Sequence, residues 1–157
     1  MDFPDLLSRF AKAVAANDGA GLASLFAEDG IYDDGFFGEY KGRKAIADML
    51  GHFHETGSNF RWDFLDPLSN GSSGYARYRF SYASAMPGAE GKPVVFEGTG
   101  HFQFRDGLIA RYSEVFDRGM ALAQQDFAAE RIKKVLLKLA DRQNAGLEAK
   151  EHLARFG

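Results

Sequence analysis

An α+β fold is what the order of hydrophobic periods in this chain predicts, with helices first, then a strongly bent antiparallel sheet, then more helix. Three observations carry it. Apolar residues recur at helical spacing up to about Phe53, the period changes to two from Phe60, and a helical pattern returns after Asp117. The 157 residues are enough to bury one sizeable core.

The first helix is signalled by Asp2 as N-cap and Pro4 in the first turn, with Phe3, Leu6, Leu7, Phe10 and Val14 on one face. Asn17, Asp18 and Gly19 end that pattern. A short second helix is expected to turn Leu22, Leu25 and Phe26 inward and to stop near Asp29-Gly30. A short strand over 31–33 follows, then a loop punctuated by Gly35, Gly38 and Gly42, then a third helix from about Arg43 to Phe53.

Alternation then takes over. Phe60, Trp62 and Phe64 share one face of a strand, and "NGSSG" turns the chain into "YARYRFSYASA", where Tyr78, Phe80 and Tyr82 oppose Arg77 and Arg79. "MPGAEGKP" and Asp106-Gly107 are the remaining turns, the second a strong hairpin signal. Gly98 and Gly100 in mid-strand predict a bend, or a place where another group comes close to the backbone. In the tail Asp126 is a candidate cap for a helix whose stripe is Ile132, Val135, Leu136 and Leu139, interrupted at Asn144-Ala145-Gly146.

Composition excludes several functions. The absence of cysteine removes disulfides, thiol nucleophiles and thiolate-bound metals, and is compatible with the cytoplasm, the expected location. The four histidines show no ligand spacing, so no metal and no cofactor are expected. Glycine-rich turns match neither a phosphate loop nor a dinucleotide fingerprint. A net charge of −3 without a basic, aromatic-interleaved patch argues against nucleic acid, and no apolar run approaches membrane length. "MDFPDLL" has neither a basic start nor a long apolar run, so no signal peptide is expected. The aromatic content is high: fifteen Phe, six Tyr and one Trp, enough for a lined cavity as well as a core.

"IYDDGFFGEYKG" places Asp33 and Asp34 among Phe36, Phe37 and Tyr40. Either the two acids end a strand in an exposed turn, or one of them lines an apolar pocket.

The segments "ANDGAGLASLFAEDGIYDD", "YKGRKAI" and "GHFQF-DG-LIARYSEVFD" resemble those of the nuclear transport factor two-like superfamily, most of all SnoaL-like polyketide cyclases and steroid isomerases. The resemblance implies a cone around an internal pocket over residues 1–118, with 119–157 as a helical extension packed on it or on a partner subunit. It places Asp33 where the isomerases have their general base, and turns Tyr112, Glu114 and Phe116 toward the pocket. Asp33 and Glu114 are therefore the candidate catalytic residues. Phe10, Asp34, Phe36, Phe37, Tyr40, Trp62, Tyr78, Tyr82, Gly100, Tyr112 and Phe116 are candidate contacts to the ligand. The two hydrogen-bond donors of the isomerases correspond to Phe10 and Gly100, which cannot donate, so a standard ketosteroid isomerase is not expected.

Two readings follow. One is a cofactor-independent isomerase, cyclase or lyase acting on a small hydrophobic, oxygenated molecule, polyketide- or steroid-like. The other is a non-catalytic ligand-binding or association domain. A homodimer is expected through the outer sheet face, which carries Arg77, Arg79, Glu97, His101 and Gln103.

Overall fold

The computed structural model describes residues 1–156. Asp2 caps α1 (Phe3–Ala15) by accepting from the Asp5 N–H at 2.8 Å, and Leu6, Leu7, Phe10, Ala13 and Val14 form its buried face. Asp18 caps the short α2 (Gly19–Ser24) in the same way, through Gly21 N–H. The second helix is shorter than expected. Phe26 already pairs with Ile109 and begins β1 (Phe26–Asp34), because its ring is fully buried in the sheet's core rather than on a helix face.

β2 (Gly38–Lys41), α3 (Arg43–Thr56), β3 (Gly57–Ser69), β4 (Ser73–Ser84), β5 (Pro93–Arg105) and β6 (Leu108–Phe116) follow. The six strands form one curled sheet in the order β2-β1-β6-β5-β4-β3. Every neighbouring pair is antiparallel except β1 with β6. Asp106 (φ 53°) and Gly107 (φ 76°) both take positive φ between β5 and β6, the geometry of a tight primed turn. Alternation along β3 and β4 buries Phe60, Trp62, Tyr78 and Phe80 in the hollow of the sheet and leaves Arg61, Arg77 and Arg79 outside. Phe10 is at the centre of that hollow, edge-on to Trp62 at 5.2 Å and against Tyr112 at 5.3 Å.

The tail forms α4 (Arg118–Gln124), α5 (Ala129–Ala145) and α6 (Leu147–Leu153). Asp117 caps α4. Gln124 then anchors that helix to the sheet by donating to the Val95 carbonyl at 2.8 Å and accepting from its N–H at 2.9 Å. Asp126 does not cap α5. It sits at φ 59° and ion-pairs with Lys92, and the N-cap of α5 is Ala128, which offers no side-chain acceptor. Of the expected stripe Leu139 is buried, Ile132 and Val135 are half-buried and Leu136 is exposed.

Candidate functional site

The hollow of the sheet encloses a cavity of ≈ 90 Å³. Eleven of its fourteen lining residues are aromatic, and among the described residues the only carboxylates on its wall are Asp34 and Glu114. Glu114 projects inward from β6, as the resemblance implies. Its Oε2 accepts from the Tyr112 hydroxyl at 2.8 Å and the Tyr78 hydroxyl at 3.0 Å, and its Oε1 from the Gly35 N–H at 3.3 Å. Burial, and then the charge of Asp34, push the Glu114 carboxyl up to about 7, while the two tyrosines and Gly35 pull the other way.

The two mid-strand glycines explain how those tyrosines arrive. Gly98 lies between Tyr78 on β4 and Phe116 on β6, and Gly100 lies opposite Glu114. A Cβ at Gly98 would stand 2.6 Å from the Tyr78 hydroxyl oxygen, and one at Gly100 would stand 2.9 Å from Cε2 of Tyr112. Both rings cross β5 through space that any other residue would fill.

Asp33 is not in the cavity, and the expectation that it is the pocket acid is corrected. It points to the outer side of β1, where it accepts from Arg111 at 2.6 Å. The acid that faces inward is Asp34, one residue on, as strand alternation from the buried Tyr32 requires. Its Oδ1 accepts from the N–H groups of Phe36 and Phe37, both at 2.9 Å, which closes the loop into β2. Burial raises the Asp34 pKa, and those two N–H groups oppose the rise.

Of the other expected ligand contacts, Phe36, Phe37, Trp62, Tyr78, Tyr82 and Phe116 line the cavity. Phe10 and Tyr112 are sealed in the core behind it, and Tyr40 and Gly100 lie outside its wall. Tyr32, Phe53, Thr56, Phe60, Phe80 and Phe96 also line the cavity and were not among the expected contacts, although alternation puts Phe60 and Phe80 on the same faces as Trp62 and Tyr78. Tyr32 could have been found from the alternation of β1, since it is the apolar neighbour of the two acids. The hydroxyls of Tyr32 and Tyr82 make no hydrogen bond among the described residues, and burial pushes the Tyr82 phenol up to about 12, so it stays a neutral donor. The buried Nε1 of Trp62 also has no partner and is packed among rings.

Among the described residues no group of three His, Asp or Glu side chains is placed to hold a metal ion. No helix is long and apolar enough to cross a membrane.

A curled sheet closed by helices around an aromatic cavity with an inward carboxylate is the cone of the ketosteroid isomerase-like proteins. Residues 7–112 match the model of the SnoaL-like domain, and the chain belongs to that family. A protein of ketosteroid isomerase-like fold from Catenulispora acidiphila, solved in complex with trimethylamine, superposes with a TM-score of 0.72 at 19% identity, covering 82% of this chain and 98% of that one. A protein assigned as a polyketide cyclase from Xanthomonas campestris gives 0.66 at 24% identity, over 78% and 95%. An LEH-like epoxide hydrolase from M. tuberculosis gives 0.63 at 16% identity, over 88% and 94%. At these identities the likeness is one of fold. No functionally curated protein matches the sequence.

Proposed function

We propose that the chain is a proton-transfer enzyme in which Glu114 takes a proton from carbon and returns it elsewhere on the same small, oxygenated molecule. The observation that carries this reading is the Glu114 carboxyl itself: enclosed by aromatic rings, held by two tyrosine hydroxyls and poised at about 7. A base of that pKa is half-ionised at neutral pH, the condition for moving a proton in both directions. Asp34 raises the affinity of Glu114 for its proton. Tyr78 and Tyr112 are committed to Glu114, so the hydroxyls free to stabilise an enolate oxygen are those of Tyr32 and Tyr82.

The cavity sets the size of the reacting unit. At ≈ 90 Å³ it accommodates one ring or a short chain, well below the roughly 300–1,000 Å³ of sites for drug-sized ligands. A steroid-sized molecule does not fit inside it.

A second reading, a binder without chemistry, is favoured by Phe10 and Gly100 standing where isomerases have donors. Hydrogen–deuterium exchange separates the two. Small cyclic ketones incubated in D₂O should exchange their α-protons faster with the protein, and Glu114→Gln should remove about 10²-fold or more of that acceleration. Exchange that survives the substitution would rule out Glu114 as the base. We also propose pairing of two copies through the outer face of β4–β6. There Arg79 already holds Glu97, and Tyr75 stacks on His101 at 4.5 Å. Light scattering tests it.

A further inference from the structure

The aromatic cavity adjoins a wider chamber of ≈ 590 Å³, and the two share Asp34, Phe37 and Glu114. The far wall of the chamber comes from the tail: Arg118 at the start of α4, then Leu139, Arg142, Gln143 and Gly146. Arg142 also donates from Nη1 to the Phe36 carbonyl at 3.2 Å, which ties α5 to the loop over the cavity.

Among the described residues, two of the cations in this chamber form no ion pair. Four carboxylates line it, and each has its partners. Arg111 holds Asp33 at 2.6 Å and Glu39 at 2.8 Å, and Lys41 holds Glu39 from the other side at 3.3 Å. Asp34 has two backbone N–H groups, and Glu114 has two tyrosine hydroxyls. Arg118 and Arg142 have no carboxylate within 4.0 Å among the described residues. Arg118 is half-buried, and its charge reaches the cavity, where it counters the burial-driven rise of Asp34. Guanidinium groups on a chamber wall, lacking an acid of their own, are matched by an anion with two coplanar oxygens.

We propose that the outer chamber is a carboxylate subsite: Arg118 and Arg142 hold the acid group of a small organic acid whose apolar part enters the aromatic cavity beside Glu114. The proposal deepens the proton-transfer reading and rests on it only for the position of the reacting carbon. Division of labour follows from the dimensions. The narrow aromatic cavity takes a ring or short chain, and the charged end stays in the wide polar chamber, where it need not be stripped of all its water. The tail, which lies outside the matched family segment, is then a wall of the site.

Three probes with one ring and one chain length test this: phenylacetate, phenylacetamide and phenethylamine, titrated into the full chain and followed by amide NMR shifts. Phenylacetate should bind at least tenfold more tightly than the amide, and the amine should not bind. Arg118→Gln with Arg142→Gln should lower the affinity for the acid at least tenfold, and Arg118→Gln alone, which keeps the tie from Arg142 to Phe36, should weaken the acid while leaving the amide unchanged, which also shows that this variant is folded. The double lysine variant, which keeps the charge and loses the planar fork, should bind the acid more tightly than the glutamine pair and more weakly than the parent, and added salt should weaken only the acid. Equal binding of acid and amide, no binding of phenylacetate, or an acid affinity indifferent to the glutamine pair would each overturn the subsite. Titration of Glu114 in the ligand-free protein is read separately. A pKa at the ordinary 4.5 with acid binding intact removes the proton-transfer reading alone, and a pKa of about 7 without preference for the acid removes the subsite alone.

Discussion

Gly100 faces Tyr112 so closely that a methyl group on it would stand 2.9 Å from Cε2 of the ring, and the hydroxyl of that ring holds Glu114. Strand, ring and carboxylate are therefore one arrangement. Gly100→Ala should cost about 1–3 kcal/mol in urea unfolding, the usual scale of overpacking, because Tyr112 and Phe102 are both fully buried and cannot retreat. An alanine variant as stable as the parent would show that β5 has slack the geometry denies it.

Removing either hydroxyl should make Glu114 a weaker acid. Tyr112 and Tyr78 both stabilise the ionised form, so Tyr112→Phe or Tyr78→Phe should each raise the Glu114 pKa above about 7. A charge-assisted hydrogen bond of about 1.5–3 kcal/mol corresponds to a shift on the order of one unit. Carbon-detected titration of the Glu side chains reads it directly.

Stability should fall as pH rises through the window between the two Glu114 pKa values. An unfolded chain releases this proton near 4.5, whereas the folded protein keeps it until about 7. Between those values the native state binds more protons, so raising the pH favours unfolding, by about 3 kcal/mol across the window. Glu114→Gln should flatten that slope, leaving the contribution of Asp34, which has the same sign. Chemical denaturation at pH 4, 5.5 and 7.5 is sufficient to see it.

The neighbouring aspartates should part company under the same substitution. Asp33 is 32% exposed and shares Arg111 with Glu39, so Asp33→Asn should change stability by less than about 1 kcal/mol and leave Glu114 alone. Asp34→Asn removes the charge that helps hold Glu114 up, and should lower the Glu114 pKa. The reverse pattern would restore Asp33 to the pocket.

Ending the chain after Gln125 should leave α4 anchored by Gln124 and Val95 while removing α5 and α6. Loss of the buried Leu139 alone is worth about 1.5–3 kcal/mol, so the truncated protein should melt lower without losing its near-ultraviolet aromatic signal. A collapse of that signal would make α5 part of the core.

What the sequence disclosed follows a physical line. Periods of two in β3 and β4 are set by one wet and one dry face, so the inward course of Trp62 and Tyr78 was legible, whereas that of Glu114 on β6 came from the family resemblance. Asp33 and Asp34 differ by a single step of that period, and the family resemblance put the wrong one inside. The anchor that settles the matter is Tyr32, whose buried ring fixes the parity of β1. Gly98 and Gly100 announced a close approach, but only tertiary pairing names the rings that approach. Asp126 has the chemistry of a cap, and its ion pair with Lys92, 34 residues away, is invisible to local pattern.

The two compartments are built by different stretches of chain. Aromatic rings from β1, the loop after it, α3 and β3–β6 wall the narrow one, and all of them except the exposed Phe37 also belong to the packing of the sheet. The far wall of the wide one belongs to α4 and α5, whose exposed positions carry little of that packing. Substitutions at the exposed positions of the tail can therefore accumulate without endangering the fold, whereas the carboxylate and its tyrosines, like the buried Leu122 and Leu139, are bound to the stability of the whole. On the proposed reading, the entrance is free to drift under selection from one guest to another while the carboxylate behind it stands still.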